Sequence, residues 1–242
     1  MTELNERLFG DEPARDARFT VRRYWNEMAN FAPDDPKLIP EFLHRQMNEE
    51  INGLEISAMN LAQYPDADWD LRMAMAKQCA DEARHIDMFR RCFEARGVAV
   101  GDYPVLNFQF RIISKIESLI GRLAVQNRSF EAAGLDAIQS EIEERSRRNG
   151  DEDLVELFDA QLADEVQHVR YANDWIKRLL EKSGPRGVLD LTRAVTQANE
   201  ALRVVAGDEA LTFYPVVDEL RREAGFTDDE IDAARAQAAG AV

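Results

Sequence analysis

The chain contains the sequence Asp81-Glu82-Ala83-Arg84-His85, and the same chemical pattern recurs as Asp164-Glu165-Val166-Gln167-His168. Each of the two units carries a glutamate and a histidine three residues apart. An α-helix has 3.6 residues per turn, so these two side chains project from one face of a helix. The chain has three histidines, and two of them belong to these units. The repeat predicts two helices that each present a Glu/His pair on one side.

The sequence around the repeat predicts four long helices. Apolar residues recur every three to four positions, which is typical of amphipathic helices, and proline- or glycine-containing turns separate them. The predicted helices cover residues 41–63, 67–96, 105–133 and 152–182. We expect a break near Gly134 and a shorter helical piece at 136–148, before the turn Asn149-Gly150-Asp151. An all-α protein is the fold class that this pattern indicates.

Each predicted long helix has one glutamate within its apolar stripe. These residues are Glu50, Glu82, Glu131 and Glu165. A buried carboxylate without a compensating partner costs several kcal/mol, and a shared pair of metal ions would compensate all four. On the first helix we prefer Glu50 to its neighbours Glu49 and Glu55, because Glu50 lies in the stripe and is placed symmetrically with Glu82 about the turn. Asn127, one turn before Glu131, either lines a pocket or packs, and the sequence leaves both readings open.

The spacing along the chain predicts that the carboxylates lie at matching heights. Glu50 and Glu82 are 32 residues apart and centred on residue 66, in a predicted turn; Glu131 and Glu165 are 34 apart and centred on residue 148. Residues equidistant from the turn of a helical hairpin lie level with each other. The stretch from Gly97 to Val105 could span up to about 30 Å, enough for a long crossover between the hairpins. The sequence predicts a four-helix bundle with one such crossover.

The order of these residues resembles the ferritin-like di-iron carboxylate superfamily over roughly residues 40–182. Within that superfamily the runs Glu50-Ile-Asn-Gly-Leu-Glu55, Gly101-Asp102-Tyr103-Pro104 and Phe130-Glu-Ala-Ala-Gly-Leu-Asp136, with the two repeated units, resemble a bacterial ferritin-like family of unknown function. Phe89 occupies the position where the radical subunit of ribonucleotide reductase is expected to carry its tyrosine. About 55 residues follow the bundle, more than a storage ferritin needs.

The resemblance implies a set of metal ligands. Glu50, Glu82 and His85 would bind one iron, Glu131, Glu165 and His168 would bind the other, and carboxylates would bridge the two. It also implies that Asp81 and Asp164 accept hydrogen bonds from the free ring N–H groups of the metal-bound histidines. Carboxylate and imidazole ligands suit iron or manganese, so a manganese or mixed iron–manganese pair is the alternative.

This set of ligands predicts a non-heme di-iron oxygenase. The enzyme would use dioxygen as cosubstrate to C-hydroxylate or N-oxygenate a small organic molecule, with electrons from an external donor or reductase. The alternative is a ferroxidase or a protein that handles iron or peroxide without an organic substrate. Hydroxylation of a modified tRNA base, known elsewhere in the superfamily, is opposed by the net charge of −16, which disfavours nucleic acid as a partner.

Composition limits the remaining possibilities. The sequence contains no stretch of about 18 apolar residues without charges, so it predicts no membrane span. The N-terminus lacks the pattern of a signal peptide, and we therefore expect a cytoplasmic protein. Cys79 and Cys92, about 20 Å apart on one predicted helix, cannot form a disulfide bond with each other.

We expect three parts along the chain: an N-terminal lead-in and helix (1–39, the helix at 15–31), the bundle (40–182) and two or three C-terminal helices packed on it (188–242). A homodimer is the expected oligomer, and the three tryptophans are expected in the core.

Overall fold

The computed structural model describes residues 17–147, 150–207 and 214–240, and over these residues the protein is mainly helical. The prediction of an all-α helical bundle fold is confirmed. The chain divides into two compact units, one from Met1–Glu117 with Thr196–Ala210, the other from Ser118–Val195 with Leu211–Val242. Within the described ranges, no helix is both long and apolar enough to cross a membrane. The domain boundaries expected from the sequence stay predictions.

A hairpin of two long helices forms the framework of the first unit. Helix α1 is Leu38–Gln63 and helix α2 is Trp69–Glu94, close to the predicted ranges. The Arg72 guanidinium donates hydrogen bonds to the carbonyls of Leu61 and Tyr64 at 2.9 Å, which satisfies the end of α1 and fixes the turn. The helices bury apolar side chains against each other: Leu43, Met47, Ile56, Leu71, Met75, Phe89 and Phe93. Each contributes about 1.5–3 kcal/mol relative to exposure.

The long connection after α2 runs back along α1. It contains strand β2 (Val105–Leu106) and the short helix α3 (Phe108–Ile113). Asn48 Nδ2 donates to the Leu106 carbonyl at 2.8 Å, and the Tyr64 hydroxyl donates to the Glu117 carbonyl at 2.6 Å. The connection therefore follows α1 from its middle to its C-terminal end. This connection includes residues 105–113, which the sequence predicted as the start of the third helix.

The predicted amphipathic helix at 15–31 is wrong for its described part, residues 17–31. This segment holds strand β1 (Val21–Arg22) and a single 3₁₀ turn (Trp25–Glu27). Strand β1 pairs in parallel with β2, with Val21 opposite Val105. The helix-like spacing of the apolar residues was misleading, because pairing with a distant strand decides the conformation. Residues 1–16 lie outside the described part of the chain.

His44, the one histidine outside the repeated units, is fully buried and faces the crossover. Its Nε2 accepts a hydrogen bond from the Gly101 N–H at 2.9 Å, and its ring packs against Phe93 and Tyr103. Burial lowers the pKa of His44, and the nearby Asp102 carboxylate opposes that effect. A neutral ring that accepts a hydrogen bond from the backbone has a structural role here.

The second unit has a helical run that differs from the predicted third helix. Helix α4 (Leu119–Val125), a π-helical turn (Gln126–Glu131) and helix α5 (Ala132–Ser146) follow one another without interruption. The third helix therefore begins at Leu119 instead of residue 105. The predicted break near Gly134 is wrong, because an isolated glycine is tolerated inside a helix. The irregularity lies at the π turn. Helix α6 (Glu152–Ser183) matches its predicted range and packs against α5.

Three further helices follow α6 in the described residues: α7 (Pro185–Ala206), α8 (Asp218–Glu223) and α9 (Asp228–Gly240). Gly184, with φ of +56°, separates α6 from α7, and Pro185 begins the new helix. At the start of α9 the Thr227 N–H donates to Glu230 Oε2 and the Glu230 N–H donates to Thr227 Oγ1, which together form a capping box. The expectation that all three tryptophans lie in the core is wrong, because Trp69 is 70% exposed and Trp25 is 37% exposed.

Candidate metal centre

The first unit contains a buried cluster of two carboxylates and an imidazole. Glu50 lies on α1, and Glu82 and His85 lie on α2. His85 Nδ1 is 3.0 Å from Glu50 Oε2 and 3.5 Å from Glu82 Oε2. The three residues are 7%, 2% and 0% exposed, and one ligand atom from each lies within 4.8 Å of the others. This is the spacing at which three side chains can bind a single metal ion.

Two neighbours of Glu82 determine where its carboxylate lies. Gln78, one turn earlier on α2 and 1% exposed, donates from Nε2 to Glu82 Oε1 at 2.9 Å. On the facing helix, Gly53 leaves room for the same group, since a Cβ at this position would be 2.8 Å from Glu82 Oε1. The carboxylate of Glu82 thus occupies space that any other residue at position 53 would fill.

The second unit repeats the same types of side chain. Glu165 and His168 lie on α6, with His168 Nδ1 3.5 Å from Glu165 Oε2, and they are 5% and 2% exposed. Glu131 lies at the end of the π turn, and one of its oxygens is within 4.8 Å of a His168 ring nitrogen. The Glu-x-x-His spacing therefore brings Glu and His together on one helix in both units.

The π turn gives Glu131 two amide neighbours. Gln126 donates from Nε2 to Glu131 Oε1 at 3.0 Å, and Asn127 donates from Nδ2 to Glu131 Oε2 at 2.7 Å. The wider turn places residues both four and five positions earlier beside one carboxylate. The Ser129 hydroxyl donates to the Ala124 carbonyl, five residues back, at 2.9 Å. The sequence indicated Asn127 as a neighbour of Glu131 but not the π turn, because one inserted residue leaves no clear trace in the apolar spacing.

The residues present fit a divalent metal ion. In the first unit, two carboxylates and one imidazole converge inside the protein, and crowding of the two negative charges favours a bound cation. Oxygen and imidazole ligands without thiolate suit iron or manganese better than they suit softer metals. The space that Gly53 leaves for Glu82 is further evidence that the carboxylate position is built into the packing.

The other acidic residues considered from the sequence lie in different settings. Glu49 is partly buried beside Arg45, 3.7 Å away, and burial raises its pKa while Arg45 lowers it. Asp81 forms an ion pair with Lys77 one turn earlier. The roles predicted for Asp81 and Asp164, as acceptors from the metal-bound histidines, stay predictions.

The fold and these clusters define an all-helical protein with buried glutamate and histidine side chains that could bind a metal ion. The model of the family described as "Protein of unknown function (DUF455)" matches residues 2–232. The chain belongs to this family. No curated protein and no solved structure matches the chain.

Proposed function

We propose that the protein is a non-heme di-iron oxygenase that uses dioxygen to C-hydroxylate or N-oxygenate a small organic substrate. The observation that carries the proposal is the buried Glu50/Glu82/His85 cluster, together with the same side-chain types at Glu131, Glu165 and His168. Burying these groups would cost a purely structural bundle free energy, whereas a metal enzyme would use them as ligands.

In this proposal Glu50, Glu82 and His85 would hold one iron, and Glu131, Glu165 and His168 would hold the other. The pairing of the two ions in one centre comes from the sequence, where both hairpins place their glutamates equidistant from a turn. Each histidine would bind through Nδ1, the ring nitrogen that lies nearest a carboxylate of its own unit. Manganese, alone or mixed with iron, is the alternative for the same ligands.

When bound, the two iron ions would supply the electrons for the first reduction of dioxygen. The overall reaction takes one substrate C–H or N–H bond, dioxygen, two electrons and two protons, and yields the hydroxylated product and water. The electrons come from an external reductase or cosubstrate. Met75 and Phe89 on α2 are fully buried one to two turns on either side of the Glu82/His85 pair, and such apolar neighbours would keep water away from the reaction.

The alternative is a protein that oxidises or stores iron, or removes peroxide, without an organic substrate. The net charge of −16 favours it, because a strongly acidic surface attracts cations. The two functions differ in their products. An oxygenase transfers an oxygen atom from dioxygen to an organic molecule and turns over repeatedly when a reductant is present, whereas a ferroxidase yields only oxidised iron.

The first experiment is anaerobic loading with ferrous iron, with the stoichiometry measured by elemental analysis, followed by oxygen addition and time-resolved optical spectra. We expect two irons per chain, oxygen consumption sustained by a reductant, and labelled oxygen in a product from a screen of amines and other small substrates. Oxidation that stops at the bound iron would favour the alternative. If the chain retains neither iron nor manganese, the proposed metal centre is wrong.

Ligand variants test the assignment of individual residues. Glu131→Ala and His168→Ala should each lose stable binding of one metal ion while far-UV circular dichroism stays unchanged. Glu156→Ala is the matched control, because Glu156 is exposed on the same helix as Glu165 and His168. If both ligand variants keep two metal ions per chain, these residues are not ligands.

A further inference from the structure

A side-chain amide precedes each candidate glutamate ligand by four residues. The pairs are Gln46/Glu50, Gln78/Glu82, Asn127/Glu131 and Gln161/Glu165. Residues four apart on a helix are neighbours on its surface, so each amide can reach the carboxylate that follows it. The regularity occurs at all four positions.

The structure shows this contact at one carboxylate of each unit. Gln78 donates to Glu82 in the first unit at 2.9 Å, and Asn127 donates to Glu131 in the second unit at 2.7 Å. Both amides are almost completely buried, at 1% and 2% exposure. Gln126, 3% exposed, donates to the second oxygen of Glu131. Gln161 is buried as well, and Gln46 is partly buried.

An amide suits this position because it donates a hydrogen bond without carrying charge. A lysine or arginine here would also hold the carboxylate, but its positive charge would compete with a metal ion for the same oxygens. An apolar residue would leave a buried carboxylate without that donor. A neutral donor stabilises the charge and orientation of the carboxylate and leaves its attraction for a cation intact.

We propose that Gln78 and Asn127, the latter together with Gln126, are positioning residues that hold Glu82 and Glu131 in their metal-binding orientation before a metal ion arrives. Gln46 and Gln161 have the spacing to do the same for Glu50 and Glu165. This inference rests on the proposed function, since it assigns these glutamates as ligands. Hydrogen-bond partners of metal ligands usually affect metal affinity by 10–100-fold, so we expect a loss of about that size for each amide removed.

Gln78→Met and Asn127→Leu test the proposal, because each keeps roughly the volume of the side chain and removes the N–H donor. Gln139→Met is the matched control: Gln139 Nε2 also donates to a glutamate four residues on, Glu143, but that pair is exposed. For each chain we would measure Co²⁺ affinity by competition with a chromophoric chelator, the visible spectrum of the Co²⁺-loaded form, and the unfolding temperature of the metal-free form.

We expect the two buried variants to bind Co²⁺ about 10–100-fold more weakly than the original chain and to show altered Co²⁺ bands at saturation. The control should change neither property. Each variant tests its own unit, so a failure of Gln78→Met to fold still leaves Asn127→Leu to decide the question. Unchanged affinity and spectra in a folded buried variant would overturn the inference while leaving the metal centre in place. If the original chain binds no metal, both the proposed function and this inference are wrong.

Discussion

Gly53 shows how closely one residue of α1 is matched to a candidate ligand on α2. It follows Glu50 by three positions, and a Cβ added there would come within 2.8 Å of Glu82 Oε1. Because that oxygen is at the end of a flexible side chain, the carboxylate would move and the helices would not. Gly134 follows Glu131 by the same three positions, but a Cβ there would meet nothing within 4 Å.

At this scale we predict that Gly53→Ala weakens metal binding by about tenfold or more without destabilising the metal-free protein. Alanine is about 1 kcal/mol better than glycine in a helix interior, so the unfolding temperature should stay level or rise. The measurements are chelator competition for Co²⁺ and thermal unfolding without metal. Gly134→Ala is the control, with the same gain in helix propensity and unchanged affinity. Equal metal affinity in both variants would contradict the described position of Glu82.

At the scale of elements, helix α8 is attached to α5 by a buried ion pair. Asp136 on α5 accepts a hydrogen bond from Arg221 Nη2 at 2.6 Å and another from the Val217 N–H at 2.9 Å. Asp136 is 3% exposed and Arg221 is 8% exposed, and the Arg221 guanidinium stacks on the Phe226 ring. The contact joins residues 85 positions apart, so it constrains the chain far more than a pair within one helix.

We predict that Asp136→Ala lowers the free energy of unfolding by about 3–5 kcal/mol, because it leaves the buried Arg221 without this carboxylate. Urea denaturation followed by circular dichroism measures the change. Asp232→Ala is the control, since Asp232 pairs with Arg235 at an exposed position, and it should cost less than about 1 kcal/mol. Similar denaturation midpoints for the two variants would show that the Asp136 pair is not a main attachment of α8.

The long helices could be predicted from the sequence, and the irregular segments could not. Periodic apolar residues gave α1, α2 and α6 to within a few residues, because each helix buries one continuous face. The strand β1 depends on pairing with β2, more than 80 residues later in the chain. The π turn depends on a single extra residue, which shifts neighbouring side chains without changing the local apolar pattern.

For the whole molecule, metal binding and stability are linked, because the chain carries a net charge of −16 and buried carboxylates whose negative charge a bound cation would neutralise. A ligand that binds only the folded state stabilises it by mass action, by about 2.7 kcal/mol when its concentration is 100 times the dissociation constant. We predict that anaerobic Fe²⁺ or Mn²⁺ raises the unfolding temperature and that a chelator reverses the rise.

Sodium chloride at equal ionic strength is the control for general screening of the negative charge. It should give a smaller shift that the chelator does not reverse. The variant His85→Ala should lose a large part of the metal-dependent rise. A rise of the same size with sodium chloride would show that screening, and not binding at the candidate ligands, stabilises the protein.

The sequence by itself determined the helical class, the ranges of three long helices and the pairing of Glu with His on one face, because these follow from local periodicity. It also indicated Glu50 and Glu131 through their place in the apolar stripes. Only the tertiary structure decided that Gly53 makes room for Glu82, that Asn48 and Tyr64 bind the crossover, and that Asp136 holds α8. These contacts join residues far apart in the chain, so they depend on which helix faces are brought together, and local spacing does not contain that information.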